Sequence, residues 1–164
     1  MAVISEWVDV ILIGVGATAV MDVGAWVQKG LGVSTLDYAL VGRWTGHLVQ
    51  GRFAHASIGK AAPIPGELLL GWLIHYLVGI MFAFLLVVLC GRGWLLQPDL
   101  LQAMAMGLIT VLFPFLLMQP AMGAGIAASR TPAPWKSRLR SLLAHAIFGV
   151  GLYVSALALS SLRA

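Results

Sequence analysis

Charge is scarce in this chain. Only 10% of its 164 residues are Asp, Glu, Lys or Arg, and 60% are hydrophobic. A soluble domain carries about 25% charge. The mean hydropathy is +0.96, and no soluble core of this chain length could hide that much apolar surface. A water-soluble fold is excluded. Cysteine is nearly absent too: Cys90 stands alone, which rules out an internal disulfide and CxxC redox chemistry. The opening MAVISEWVD has no basic residue. A cleaved signal peptide begins with positive charge, so this segment reads as part of a retained span. Paired acids, HExxH and a Ser-His-Asp order in elbow context are also missing, so no enzymatic role and no cofactor is assigned. The net charge of +4 comes from residues beside the apolar runs. It suits a lipid bilayer with anionic headgroups and not nucleic acid.

Long uncharged runs are abundant. Residues 68–91, 100–129 and 141–162 contain no Asp, Glu, Lys or Arg, and 10–28 contains only Asp22. A helix crosses the hydrocarbon with about 20 residues. The pattern predicts an all-α integral membrane protein, a single membrane domain over 1–164. Its four transmembrane helices fall at about 8–28, 68–90, 100–128 and 138–161. Pro114 and Pro120 predict a kink or tilt in the third.

Basic residues set the orientation. The loop between the first two spans holds Lys29, Arg43, Arg52 and Lys60, and the loop between the last two holds Arg130, Lys136, Arg138 and Arg140. The other side has Arg92 and Arg163. Loops 1 and 3 are expected in the cytoplasm, with both termini outside. Loop 1, residues 29–67, is too long for a bare turn. Ser34 and Asp37 fit a capping box, and Leu40, Trp44 and Leu48 share one helical face. These predict a short cytoplasmic interfacial helix at about 35–50, with Trp44 at headgroup level. Loop 1 also uses one pattern twice, GRWTGH (42–47) and GRFAH (51–55). It reads as basic and aromatic anchoring, or as an anion or headgroup site built on Arg43 and Arg52.

A faint repeat runs through the chain. GWLIHYLVGI (71–80) and SLLAHAIFGV (141–150) align their histidine and the glycine four residues later. Met21-Asp22 and Met118-Gln119 match more weakly. Two hairpins of equal topology, parallel repeats about an axis along the membrane normal, are the implied architecture. At ~1.5 Å per helical residue, Asp22, His75 and His145 lie roughly 8–12 Å inside the cytoplasmic edge, and Gln119 about 16 Å. Each sits on a different span. An acid inside a span costs about 3 kcal/mol even on lenient scales, so it is expected to have a partner or a proton. Asp22, His75, Gln119 and His145 are therefore the candidate polar intramembrane site. His75 and His145 alternatively suit a haem iron, or a metal together with Asp22. Gly71 and Gly79 flank His75, and Ser141 and Gly149 flank His145. Such small residues permit close helix approach and could serve a homodimer or a membrane partner. The run VILIGVGATA imitates a dinucleotide-binding glycine motif, but it lacks the strand and βαβ context. Its glycines read as packing residues.

The strings GxGATAVMD, DYALVGRW-x-GH, GRFAH-x-SI, GELLLGWLIHY-x-VGI, PF-x-x-MQPAMGAGIAASRTP-x-PW and SLLAH-x-IFG-x-GLY together resemble an uncharacterised family of small bacterial inner-membrane proteins, known only as a domain of unknown function. The resemblance runs from about Gly14 to Tyr153. It implies a four-span protein of the bacterial inner membrane and assigns no activity, cofactor or site residue. Three readings of function follow from the residues. The first is a transporter-like protein with a cytoplasm-facing polar site, the second a haem- or metal-binding redox membrane protein, and the third a non-catalytic accessory subunit of a membrane complex.

Overall fold

A backbone in hydrocarbon has no water to bond, so an apolar run must satisfy its own N–H and C=O groups, which a helix does. The computed structural model describes residues 2–162, with side chains from Glu6 onward, and contains no strand among them. Arg163, used above for orientation, lies outside the described residues. The helices are α1 (Ala2–Gly30), α2 (Tyr38–Val49), α3 (Glu67–Cys90), α4 (Leu100–Ala121) and α5 (Pro134–Ser161). All but α2 are long and apolar enough to cross a membrane. At ~1.5 Å per residue, α3 alone is roughly 36 Å long, against about 30 Å of hydrocarbon.

Helix ends differ from the expected ones for local reasons. Pro134 opens α5, the position where its missing N–H costs nothing. This draws Lys136, Arg138 and Arg140 into the first turns. α4 stops at Ala121 rather than near 128. Pro120 and the turn at Gly123 and Gly125, with φ of 94° and 75°, end it. The kink expected at Pro114 is a stretch of π-helix, Pro114–Met118, in which the Gln119 N–H donates to the Pro114 carbonyl. α2 begins at Tyr38, and its N-cap is Asp37, whose carboxylate accepts the Ala39 N–H at 2.9 Å. The capping box expected from Ser34 does not form that cap.

The chain divides into two compact units. The first comprises Met1–Ser34, Tyr76–Thr110 and Leu143–Ala164. Here α1 runs antiparallel to α3 and α5, and α4 antiparallel to α5. Val10, Ile13, Ala17, Leu86, Met106 and Leu152 belong to one core. Backbones touch at the glycines. A Cβ on Gly14 would lie 2.5 Å from Ile80 Cα, and one on Gly107 would lie 2.7 Å from Gly149 Cα. Beside each contact a threonine bonds back to a glycine carbonyl, Thr18 to Gly14 at 2.7 Å and Thr110 to Gly107 at 2.6 Å. The two repeat hairpins thus use the same device: Gly and Thr on the first helix, and the glycine of H-x-x-x-G on the second. Gly14, Gly79, Gly107 and Gly149 all make close contacts within the chain.

The second unit comprises Thr35–His75 and Val111–Leu142. α2 crosses the start of α3 at another glycine pair. Gly42 sits against the Glu67 carbonyl and Gly71 against that of Tyr38. Trp44 is buried with Ile58, Ala121 and Met122, and its indole N–H donates to the Phe53 carbonyl at 2.8 Å. The apolar face of α2 therefore packs on protein, and Trp44 is not a headgroup anchor. A helix face marks what is buried but not whether lipid or protein covers it.

Candidate functional site

Each of the four intramembrane polar residues is paired with a hydroxyl. In the first unit, Tyr76 on α3 donates its phenolic hydrogen to Asp22 Oδ2 on α1 at 3.0 Å. His145 Nδ1 on α5 lies 2.9 Å from Thr110 Oγ1 on α4. Thr110 has one hydrogen, and it goes to the Gly107 carbonyl. The threonine oxygen must then accept, so His145 carries its proton on Nδ1 and Nε2 is its basic nitrogen.

In the second unit, His75 Nε2 meets the Tyr38 hydroxyl at 2.9 Å. The two rings lie 4.4 Å apart, and Trp72 packs on Tyr38 at 4.3 Å. Gln119 Nε2 donates to Ser141 Oγ at 3.3 Å, while Oε1 is buried without a hydrogen-bond partner among the described residues. A hydroxyl both donates and accepts, so it can serve either protonation state of an acid or an imidazole. Asp22 and His145 fall in the first unit, and His75 and Gln119 in the second.

Arg43 and Arg52 have different fates. Arg43 forms a two-pronged ion pair with Glu67, Nε to Oε2 at 2.8 Å and Nη2 to Oε1 at 2.7 Å. Its remaining Nη1 reaches the carbonyls of Ile58 and Ala61 at 3.4 and 3.2 Å. The hydrogen bonds to Glu67 raise the Arg43 pKa, and Glu67 also accepts the Ile64 N–H at 3.0 Å. Arg43 is thus a strut between α2 and α3. Arg52 is exposed.

The doubled Gly-Arg-aromatic-His pattern proves to be a pairing code. Trp44 meets Phe53 edge-on at 6.1 Å, and His47 meets His55 with rings 4.9 Å apart. His47 Nδ1 and His55 Nε2 are 2.8 Å apart. Burial holds the His55 imidazole below its ordinary pKa, with His47 and Arg52 pushing the same way. The Ala121 backbone works in the opposite direction. The sequence pattern reads as anchoring or as an anion or headgroup site, because nothing in a linear string says that two copies face each other. It did not single out Tyr38, Tyr76, Thr110, Ser141 or Glu67 as partners. Among the described residues, no three His, Cys, Asp or Glu side chains cluster as metal ligands would.

A family model described as a protein of unknown function, DUF2938, matches residues 11–159. No curated protein and no solved structure matches the chain significantly.

Proposed function

The chain belongs to the DUF2938 family of proteins of unknown function, and from that premise we propose that it is a small transporter-like protein of the bacterial inner membrane. Loops 1 and 3 face the cytoplasm and both termini face the periplasm, a reading supported by the eight Lys and Arg residues of those loops. Asp22 is the proton-linked acid, His75 and His145 are proton or ligand partners, and Gln119 is an orienting amide. One observation carries this reading: every polar side chain singled out within the spans is joined to a hydroxyl, by Tyr76, Tyr38, Ser141 or Thr110. For the three titratable groups, Asp22, His75 and His145, a hydroxyl partner can serve both protonation states. Arg52 serves anionic headgroups, while Arg43 braces the fold.

The test is proton movement into pyranine-loaded vesicles carrying the purified chain under an imposed potassium diffusion potential. The expected result is a protein-dependent acidification that Asp22→Asn abolishes. Equal rates for wild type, Asp22→Asn and empty vesicles overturn the reading.

A further inference from the structure

The second unit contains two buried titratable groups that the intramembrane role does not use. His47, in the last turn of α2, is 2% exposed, and His55 is 9% exposed. Across the 2.8 Å between His47 Nδ1 and His55 Nε2, one nitrogen carries the hydrogen and the other presents its lone pair. The second nitrogen of His55, Nδ1, is buried without a hydrogen-bond partner among the described residues.

This pair sits at the root of a clasp formed by residues 52–58. On the α2 side, Arg52 N–H donates to the His47 carbonyl at 3.0 Å and Trp44 holds the Phe53 carbonyl. On the α4 side, His55 N–H donates to the Ala121 carbonyl at 2.8 Å, and Ile58 N–H to that of Met122 at 3.0 Å. The Ala56 carbonyl rests on Gly123 so closely that no side chain fits there. The imidazole pair, the indole and Arg43, whose Nη1 reaches the Ile58 carbonyl, are thus side-chain ties between α2 and a segment that covers the broken end of α4.

We propose that His47 and His55 form an acid-released latch, which holds residues 52–58 on the end of α4 while at most one ring is protonated and releases them when both are. A first proton leaves the N–H···N bond intact and adds charge to it. A second proton sets two N–H groups and two positive charges face to face, with no lone pair between them.

The charged groups around the pair oppose that second proton. Arg43 lies one turn earlier on α2, and Arg52 lies beside His55. Glu67, at the start of α3, is the acid near His47, and it is already bound to Arg43. The end of α4, Met118–Gly123, contributes no titratable side chain. The sign of the pH dependence follows. His55 is held below its ordinary pKa, chiefly by burial. A base kept neutral by the fold stabilises it fully above its ordinary value, about 6.5 for imidazole. That contribution is lost as pH falls through the lowered value. With loop 1 in the cytoplasm, the latch is closed at neutral pH and opens on acidification. The proposal is independent of proton transport through Asp22.

Hydrogen exchange of the full chain in nanodiscs, followed from pH 7.5 to 5 by mass spectrometry and scaled to the intrinsic rate at each pH, tests it. Peptides covering residues 52–60 should lose protection as the pH falls toward 5. Peptides from α1 and α5 should not. His47→Gln and His55→Gln keep a hydrogen-bonding amide but cannot titrate, so either should flatten the step. Asp22→Asn should leave it in place even where it abolishes proton movement. A flat wild-type profile overturns the latch, and so does a step that persists in a glutamine variant. Because the wild-type profile and the two variants are read separately, failure of one variant to fold leaves the other measurements decisive.

Discussion

The two units of this protein are held together by different forces. The second carries Arg43, Arg52, Lys60, Arg130, Lys136, Arg138 and Arg140 against Asp37 and Glu67, seven basic residues minus two acidic, a net charge of +5. The first carries, among the described residues, Lys29 and Arg92 against Glu6, Asp9, Asp22 and Asp99, two minus four, a net of −2. In the first unit, helices meet at glycines and alanines, with threonines bonded to their own backbone. Lipid tails are as apolar as leucine, so close van der Waals approach replaces hydrophobic exclusion as the glue. In the second unit, an ion pair, an indole bond, an imidazole pair and a helix cap tie loop to helix. Both share the glycine crossing, and the first unit also has a more exposed ion pair, Arg92 to Glu6 at 3.2 Å. The contrast therefore separates what lipid-facing helices need from what the segments between them need.

The glycine crossings should give the largest effects and narrow the contrast. Gly42→Val in the second unit and Gly107→Val in the first each drive a branched side chain into backbone rather than into a movable side chain. Each should cost about 3 kcal/mol or more, the upper end of overpacking penalties, measured as a fall in the thermal midpoint in detergent. If only one variant is destabilised, the two units do not share this device.

Next comes the Arg43–Glu67 strut. Arg43→Ala strands a carboxylate that now accepts three hydrogen bonds. It should open loop 1 to trypsin while leaving α1 and α5 protected. The swap Arg43→Glu with Glu67→Arg should recover part of the loss. Equal loss of protection in both units would mean that the strut supports the whole chain.

Smaller effects sharpen the comparison. Asp37→Ala removes an exposed cap and should cost about 1 kcal/mol. Thr110→Val removes the oxygen that His145 uses, and should cost only about 0.6 kcal/mol, the average for hydrogen bonds between membrane helices. Equilibrium unfolding in mixed micelles reads both. If Thr110→Val proves the costlier, the polar contacts of the first unit do more than join helices.

Much of this architecture can be read from residue order, because crossing a bilayer demands length and apolarity that few other constraints imitate. The four spans, the loop-1 helix and the break near Pro114 all follow from that demand and from proline's missing N–H. Asp22, His75, Gln119 and His145 stand out because each is expensive in a span. Their partners do not, because Tyr, Thr and Ser are common in apolar runs and cost little there. Trp44 shows a second limit: an amphipathic helix announces a buried face but not the material that buries it. The end of α4 shows a third. Nothing from 122 to 129 carries charge, so hydropathy extends the helix to 128, while the backbone turns away at Gly123 through φ values that hydropathy does not register.

The π-helical stretch Pro114–Met118 also has a meaning in terms of helical phase. A π turn accommodates one more residue than an α turn, so it acts as a local insertion that resets the rotation of everything after it. One residue corresponds to about 100° around an α-helix. Removing a single residue here, and so restoring α-helical winding, would turn Gln119 by roughly that angle away from Ser141. It would carry the Ala121 and Met122 carbonyls out of line with the segment that bonds to them. Sequence length between Pro114 and Gln119 is therefore as constraining as sequence identity: substitutions among Phe115, Leu116 and Leu117 are tolerable where a one-residue deletion is not.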